Sequence, residues 1–153
     1  MLKGIDLFCG IGGFRLAMDN NGVKCVFSSD NDKFAQQTYN ANFGEVPQGD
    51  IKQIEAKDIP HFDILTAGFP CQPFSQAGKR QGFNDEKDRG NLFNYICAIL
   101  AYHRPRYVFL ENVSNLMGHD NHNTWNVIYH KLSDPIEEGG LNYEVRQEIL
   151  SPH

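Results

Sequence analysis

Residues 2–14, "LKGIDLFCGIGGF", place an apolar run directly before a turn that contains three glycines. The run at 2–8 predicts a buried strand because Ile, Leu and Phe dominate it. The stretch "GGFRLAMDNNG" (12–22) predicts a short helix that ends at Asn-Asn-Gly. A strand, a glycine-rich turn and a helix in this order are typical of a βαβ unit, which has a parallel sheet.

The same alternation of strands and helices continues along the chain, with no hairpin turn between the strands. It predicts an α/β fold: a doubly wound, mostly parallel, Rossmann-like sheet with helices on both faces. We find no repeat and no linker, so residues 1–153 are expected to form one portion of a single domain. The predicted strands are 24–30, a short one before "GDI" (49–51), 62–69, 105–113 and 142–150, and the predicted helices are 31–44, 90–103 and 123–136, the last ending before Pro135.

Composition narrows the class of protein. The 153 residues carry a net charge of −5 and four cysteines without a CxxC pair, so neither a disulfide framework nor a zinc site is expected. No apolar run approaches the ~20 residues that span a bilayer, and no signal peptide is visible. These features predict a cytoplasmic protein with no metal and no membrane partner. The negative charge is a mild argument against nucleic acid, because phosphate contacts need Lys and Arg.

Two acidic residues follow predicted strands at the end where open parallel sheets bind ligands. Asp30 lies twenty positions past Gly10 and is placed to accept hydrogen bonds from ribose hydroxyls. Gly10, Gly12 and Gly13 let the backbone approach a ligand, but the full GxGxxG of a pyrophosphate binder is absent. Asp50, in "GDI", is placed to read an adenine amino group. Together these features indicate an adenosine moiety; the alternative is a glycine-rich turn beside a helix-capping Asp.

A thiol and a carboxyl follow the next two predicted strands. Cys71 lies in "GFPCQPFS" (68–75), and Glu111 lies in "FLENV" (109–113). Ends of adjacent strands are neighbours, so the pattern indicates a nucleophile with a partner acid. The alternatives are a cysteine that merely fills apolar space and a carboxylate that caps a loop.

In this order and spacing the motifs resemble those of the DNA (cytosine-5)-methyltransferases, over essentially the whole chain. "PCQ" and "ENV" are highly specific for that family. The loop "GHDNHNTW" (118–125) is similar to one in the bacterial restriction-modification enzymes. The six successive motifs that carry the resemblance are "DLFCGIGGF" (6–14), "SSDND" (28–32), "GDI" (49–51), "GFPCQPFS" (68–75), "DRGNLF" (88–93) and "ENV" (111–113).

The resemblance implies roles for individual residues. Cys71 would be the nucleophile and Glu111 the acid. Asn31 departs from the aromatic residue that family members often carry, and Asp30 from their usual Glu, so we expect altered cofactor affinity. The S-adenosylmethionine contacts would be Phe8, Gly10, Gly12, Gly13, Asp30, Asn31, Asp50, Ile51, Pro70 and Leu92. The DNA side would hold Gln72, Ser75, Lys79 and Arg80, with 76–91 as a loop that closes over the substrate.

The implied reaction transfers a methyl group to carbon 5 of a cytosine flipped out of double-stranded DNA, leaving S-adenosylhomocysteine. Cys71 would need thiolate character, for which Lys79 and Arg80 are the nearby cations. Glu111 would need a raised pKa, which burial in a closed site would supply.

Several family features are absent from residues 1–153: a Gln-x-Arg-x-Arg motif, the target-recognition region and the last two motifs. We therefore expect no turnover by the isolated chain, a bare edge on the strand at 105–113, and a need for the missing half; one alternative is that a second chain carries that half. The alternatives left open are a transfer-RNA cytosine-5 methyltransferase and an inactive cofactor-binding fragment or subunit. A nicotinamide oxidoreductase would leave "PCQ" and "ENV" unexplained.

Overall fold

The computed structural model describes residues 1–71, 91–119 and 122–151. The chain forms two compact units. The first comprises Met1–Phe69 and Tyr102–Glu111, and the second Pro70–Ala101 and Asn112–His153.

A parallel sheet organises the first unit. Its order is β2-β1-β3-β4, and every pair of neighbours is parallel. The central strands β1 and β3 are almost fully buried, as parallel strands are when both faces of the sheet are covered. This confirms the predicted α/β fold. The strands are β1 (Lys3–Leu7), β2 (Lys24–Ser29), β3 (Ile64–Gly68) and β4 (Tyr107–Glu111).

Two helices of this unit begin and end near the predicted residues. The helix α1 (Gly13–Asn20) follows β1, and α2 (Lys33–Phe43) follows β2. Asp32 caps α2 by accepting a hydrogen bond from the backbone N–H of Ala35 at 2.7 Å. Gly44 ends α2 with a left-handed φ of 69°, which glycine adopts without steric cost.

The strand order creates a switch point. After α1 the chain adds β2 on one side of β1, and after α2 it adds β3 on the other side. Ligands bind at such points, beyond the carboxyl ends of the strands. The short strand predicted before "GDI" is reduced to a single bridge between Ser29 and Gln48. Gln48 is the one residue of this segment that pairs with β2 in the described structure.

The second unit contains α4 (Asn123–Ser133) and most of α3 (Leu92–His103). As predicted, α4 ends before Pro135. The strand predicted at 142–150 is wrong: this segment has no regular secondary structure. The N–H groups of Leu141 and Tyr143 bond to carbonyls at the end of α4, and among the described residues no strand lies beside the segment. An alternating pattern forms a strand only where a neighbour completes its hydrogen bonds.

None of the helices in the described ranges is long and apolar enough to cross a membrane.

Candidate functional site

Four strands of the first unit end at one edge of the sheet. Leu7 pairs with both Ser29 and Ala67, and Gly68 pairs with Glu111. The candidate residues that follow β1 and β2 therefore lie at the same edge as the Glu111 carboxyl. The strands β3 and β4 are adjacent in the sheet, which confirms the prediction that the strand before Cys71 and the strand of Glu111 end side by side.

The carboxylate of Asp30 ties the end of β2 to the glycine-rich turn. Its Oδ2 accepts a hydrogen bond from the Gly10 N–H at 2.8 Å, and its Oδ1 accepts one from the Asp32 N–H at 2.8 Å. Asp30 does not cap α2, since Asp32 does, so the capping alternative is wrong for this residue. Each carboxylate oxygen keeps acceptor capacity, and the residue is half-exposed, which suits a diol ligand.

The three glycines of the turn differ in their surroundings. A Cβ at Gly10 or Gly13 would meet nothing within 4 Å, so both positions face open space. A Cβ at Gly12 would overlap the ring of Phe43, and the φ of Gly12 is +100°. Gly12 therefore serves the packing of α1 against Phe43 of α2, and the other two glycines leave room for a ligand.

Phe8 adopts a strained backbone conformation directly after β1. Its φ of 53° lies in the left-handed region, which costs a residue with a Cβ about 1–2 kcal/mol. Strain of this kind concentrates at ligand-binding sites, where the surrounding structure holds it in place. The half-buried Phe8 ring remains a predicted cofactor contact.

The "GDI" residues have structural roles of their own. The Oδ1 of Asp50 accepts a hydrogen bond from the Lys52 N–H at 2.9 Å and caps a 3-10 turn at Ile51–Gln53. The Ile51 side chain is buried, whereas Asn31 is exposed. Their contacts with adenine stay predictions.

Glu111 ends β4 with its carboxyl beside the backbone of Gly68. A Cβ at Gly68 would lie 3.2 Å from Glu111 Oε2, so the absence of a side chain there makes room for the carboxyl. Glu111 is exposed in the described structure. The burial that the proton-donor role predicts for Glu111 is not found among the described residues.

The predicted nucleophile belongs to the second unit. Cys71 is a free cysteine of intermediate exposure, and burial raises the pKa of its thiol. That shift opposes the thiolate that a nucleophile needs. In the same unit Pro70 is exposed and Leu92 half-buried, and their cofactor contacts stay predictions. The predicted DNA-side residues Gln72, Ser75, Lys79 and Arg80 lie outside the described residues.

Burial also raises the thiol pKa of the other three cysteines, which fits their reading as packed side chains.

Sequence reasoning missed Asp6, a carboxyl buried in β1. It is 0% exposed, and Thr66 Oγ1 donates a hydrogen bond to its Oδ1 at 3.0 Å. Burial raises the pKa of Asp6 to about 6, against the opposing effect of the hydrogen bond from Thr66. The signal in the sequence was an acidic residue inside an apolar run, two positions before the strained Phe8.

Among the described residues, no group of three or more His, Cys, Asp or Glu side chains is arranged to hold a metal ion. His119 Nδ1 lies 2.7 Å from Thr124 Oγ1, and His122 Nδ1 lies 2.5 Å from the Met117 carbonyl oxygen. These contacts fix the turn before α4.

Comparison with known proteins adds an independent observation. The family model described as "C-5 cytosine-specific DNA methylase" matches residues 2–152. The Type II methyltransferase M.DsaV of Dactylococcopsis salina is 52% identical over 150 residues, which cover 98% of this chain and 40% of the relative. The Type II methyltransferase M.HhaI of Haemophilus parahaemolyticus is 47% identical over 150 residues, covering 98% of this chain and 43% of the relative.

A solved structure agrees with these relatives. A mutant form of Spodoptera frugiperda DNMT2 superposes with a TM-score of 0.66 at 30% identity, covering 88% of this chain and 41% of that one. The present chain thus spans about two fifths of the length of the relatives it matches. The family match covers nearly the whole chain and bears out the resemblance carried by its motifs: the chain belongs to the C-5 cytosine-specific DNA methylase family.

Proposed function

We propose that this chain forms the cofactor pocket and carries the nucleophile and the acid for methylation of carbon 5 of cytosine in DNA. The observation that carries the proposal is the edge at which β1 to β4 end. There, Asp30 holds Gly10, two glycines face open space, and the Glu111 carboxyl lies beside Gly68.

The pocket residues fit an adenosine-containing methyl donor. Asp30 retains lone pairs for a ribose diol, Phe8 offers an aromatic face at the end of β1, and Gly10 and Gly13 let the ligand approach the backbone. S-adenosylmethionine, when bound there, supplies an electrophilic methyl group. The turn lacks the GxGxxG of a diphosphate binder, which favours this ligand over a dinucleotide.

The proposed chemistry divides between two side chains. Cys71 adds as a thiolate to carbon 6 of cytosine, and the electron pair moves towards carbon 5. Glu111 hydrogen-bonds or protonates ring N3 and stabilises this adduct. Carbon 5 takes the methyl group, then loses its proton, and elimination of the Cys71 thiolate restores the ring.

Two properties of these side chains indicate that the site needs completion. The pKa of Cys71 is raised by burial, and Glu111 is exposed. Closure around a flipped base would bury Glu111 and raise its pKa. Cys71 needs instead a nearby positive charge to favour its thiolate, for which Lys79 and Arg80 are the candidates in the sequence. We therefore propose that turnover requires the region corresponding to the remaining three fifths of the relatives, in the same polypeptide or in a second chain.

We propose that the substrate is double-stranded DNA and that the reaction takes place in the cytoplasm. The enzyme would act as the methyltransferase of a restriction-modification system. The relatives' description as Type II methyltransferases supports this. Because residues 1–153 carry a net charge of −5, most of the basic surface that contacts phosphates is proposed to lie outside them.

The cofactor pocket is tested first, by calorimetric titration of S-adenosylmethionine into the purified chain. Asp30→Ala removes the acceptor that faces the turn, and we expect binding weaker by roughly tenfold or more, as for a lost charge-assisted hydrogen bond. Asp32→Ala is the matched control, because Asp32 caps α2 and does not contact the turn. Equal affinity of the two variants would contradict the assignment of Asp30.

The chemistry is tested by covalent trapping on a DNA duplex that contains 5-fluorocytosine. Fluorine replaces the hydrogen on carbon 5, so no proton can be lost there and the Cys71 adduct is not released. The chain is assayed alone and with the remaining region of a relative supplied as a second polypeptide. We expect trapping only in the mixture and none with Cys71→Ala. Trapping on an RNA hairpin but not on DNA would move the substrate to RNA. Binding of S-adenosylmethionine without trapping in the mixture would identify a cofactor-binding subunit.

A further inference from the structure

Asp30 lies between β2 and α2, and four hydrogen bonds hold it in place. Its backbone N–H donates to the Gln48 carbonyl at 3.0 Å. Its carboxylate accepts from the N–H groups of Gly10 and Asp32, each at 2.8 Å. The fourth bond comes from Gln36, whose side-chain Nε2 donates to the Asp30 carbonyl. The proposed reaction gives Gln36 no role, so this contact needs an explanation.

The Asp30 carbonyl lies just outside the sheet. Asp30 follows Ser29, the last residue of β2, and α2 begins three residues later. A backbone carbonyl that leaves a sheet must find a donor elsewhere, from a side chain or from water. Gln36 lies at the end of the first turn of α2 and is half-buried. Its amide supplies the bond that a neighbouring strand would supply inside a sheet.

Gln36 fixes the connection between β2 and α2 at both ends. Its backbone N–H donates to the Asp32 carbonyl at 3.0 Å, and its side chain donates to the Asp30 carbonyl. Because the direction of that carbonyl defines the ψ angle of Asp30, the second bond restrains the backbone that carries the carboxylate. The bond from the Asp30 N–H to Gln48 restrains the other side of the same residue.

This restraint determines where the carboxylate points. In the observed orientation the two oxygens join Gly10 of the glycine-rich turn to the start of α2, and each oxygen keeps acceptor capacity. A binding group that is held in its bound orientation before the ligand arrives loses less freedom on binding. Without Gln36, Asp30 would have to be ordered by the ligand itself.

We propose that Gln36 is a positioning residue, which holds Asp30 so that its carboxylate joins Gly10 to Asp32 and presents its remaining lone pairs to ribose hydroxyls. Gln36 thereby increases the preference of the site for a ligand that carries those hydroxyls. That the ligand is S-adenosylmethionine rests on the proposed function. The hold of Gln36 on Asp30 does not rest on it.

Amide hydrogen exchange of the purified chain, without ligand, tests the hold on Asp30. Gln36→Met keeps a long unbranched side chain and removes the donor. We expect the amides of Gly10 and Asp32 to exchange roughly two- to tenfold faster, as for one lost hydrogen bond. Gln36→Glu also lacks the donor and should do the same, and urea unfolding shows which of the two variants stays folded.

Gln37→Met is the matched control. Gln37 is the next residue of α2 and is exposed. Gln and Met have similar helix propensities, so the same substitution at the two positions perturbs the helix itself equally. Gln37→Met should leave the exchange of both amides unchanged.

Calorimetry with two ligands tests the consequence for binding. S-adenosylmethionine and its 2′-deoxy analogue differ in one ribose hydroxyl. The wild type should prefer the first by roughly tenfold or more, as for a hydrogen bond to a carboxylate. Gln36→Met should bind S-adenosylmethionine roughly two- to tenfold more weakly and leave the affinity for the analogue unchanged. Gln37→Met should keep the wild-type preference.

A double-mutant cycle separates positioning from general support of the fold. In an Asp30→Ala background, Gln36→Met should leave the affinity for S-adenosylmethionine unchanged, because the carboxylate through which it acts is already absent. A residue that merely supported the pocket would lower the affinity by the same factor in both backgrounds and for both ligands.

The outcomes separate this proposal from the proposed function. Unchanged exchange at Gly10 and Asp32 in a folded Gln36 variant would overturn the positioning role, and so would an equal loss of affinity for the two ligands. If the wild type binds neither ligand while exchange responds as expected, the proposed function fails and the hold of Gln36 on Asp30 stands.

Discussion

Replacing Gly12 by Ala should destabilise the protein far more than the same change at Gly13, its neighbour in the chain. Gly12 has a φ of +100°, and a Cβ there would overlap the Phe43 ring. That ring is fixed from two sides, because it packs 4.8 Å from the Tyr39 ring and the Arg15 guanidinium lies 5.0 Å from its centre. The added methyl group therefore cannot be accommodated by a simple movement of Phe43.

The magnitude follows from two costs and one gain. A left-handed conformation costs Ala about 1–2 kcal/mol. Overpacking adds about 1–3 kcal/mol. The lower entropy of the unfolded chain returns about 0.4–1 kcal/mol. The net loss for Gly12→Ala is about 1–4.6 kcal/mol, a large part of the ~5–15 kcal/mol typical of a domain. Gly13 has neither an unusual φ nor a neighbour within 4 Å, so Ala there should gain about 0.5–1 kcal/mol.

The free energy of unfolding of both variants is measured by urea unfolding followed by circular dichroism. If the dependence of this free energy on urea concentration has the same slope in both variants and the wild type, the values can be compared directly. Combining Gly12→Ala with Phe43→Leu should recover part of the overpacking cost and none of the backbone cost. If the free energies of unfolding of the two alanine variants agree within about 1 kcal/mol, the packing role of Gly12 is wrong.

Three further predictions concern the edge of the sheet and the buried carboxyl. Gly68→Ala should displace the Glu111 carboxyl by a few tenths of an ångström and lower covalent trapping on 5-fluorocytosine DNA when the remaining region is supplied. Gly118→Ala is the control, because its Cβ would meet Asn115 at an ordinary 3.9 Å and should leave trapping unchanged. Equal trapping by the two variants would refute the role of Gly68. Because the pKa of Asp6 rises from 3.8 to about 6 on folding, stability should fall as the pH rises between these values and then stay level. Asp6→Asn has no carboxyl to titrate, so this pH-dependent loss of stability should be absent from the variant. In urea unfolding, the free energy of unfolding of Asp6→Asn relative to the wild type should be higher near pH 7.5 than near pH 4 by up to about 3 kcal/mol. A difference that does not change with pH would contradict the raised pKa of Asp6. Phe109→Lys, at a side chain 56% exposed on edge strand β4, should reduce self-association in light scattering and change stability by less than about 0.5 kcal/mol; unchanged scattering would show that this edge does not mediate association.

The order of elements was predictable because its signals are local. The apolar run at 2–8 and the glycine-rich turn after it lie close together in the sequence, and both are found as predicted. Asp32 and Gly44 likewise mark the ends of α2 through their own side-chain chemistry and backbone freedom. The position of Asp30 also followed from sequence spacing, since parallel strands bring their carboxyl ends together.

The strand at 142–150 could not be predicted correctly, because an alternating pattern does not tell whether a neighbouring strand is present to complete the hydrogen bonds. The strand before "GDI" reduced to one bridge at Gln48 for the same reason: pairing is a property of two segments.

By itself, the sequence determined the family, the α/β class and the identity of the candidate site residues, since motifs and periodicity are properties of short stretches of chain. Tertiary structure alone decided what each of those residues contacts. It assigned Gly12 to Phe43, placed Gly68 beside Glu111, and buried Asp6 against Thr66. These relations join residues 31, 43 and 60 positions apart, and only the packing of strands and helices sets the distance and solvent access between such residues.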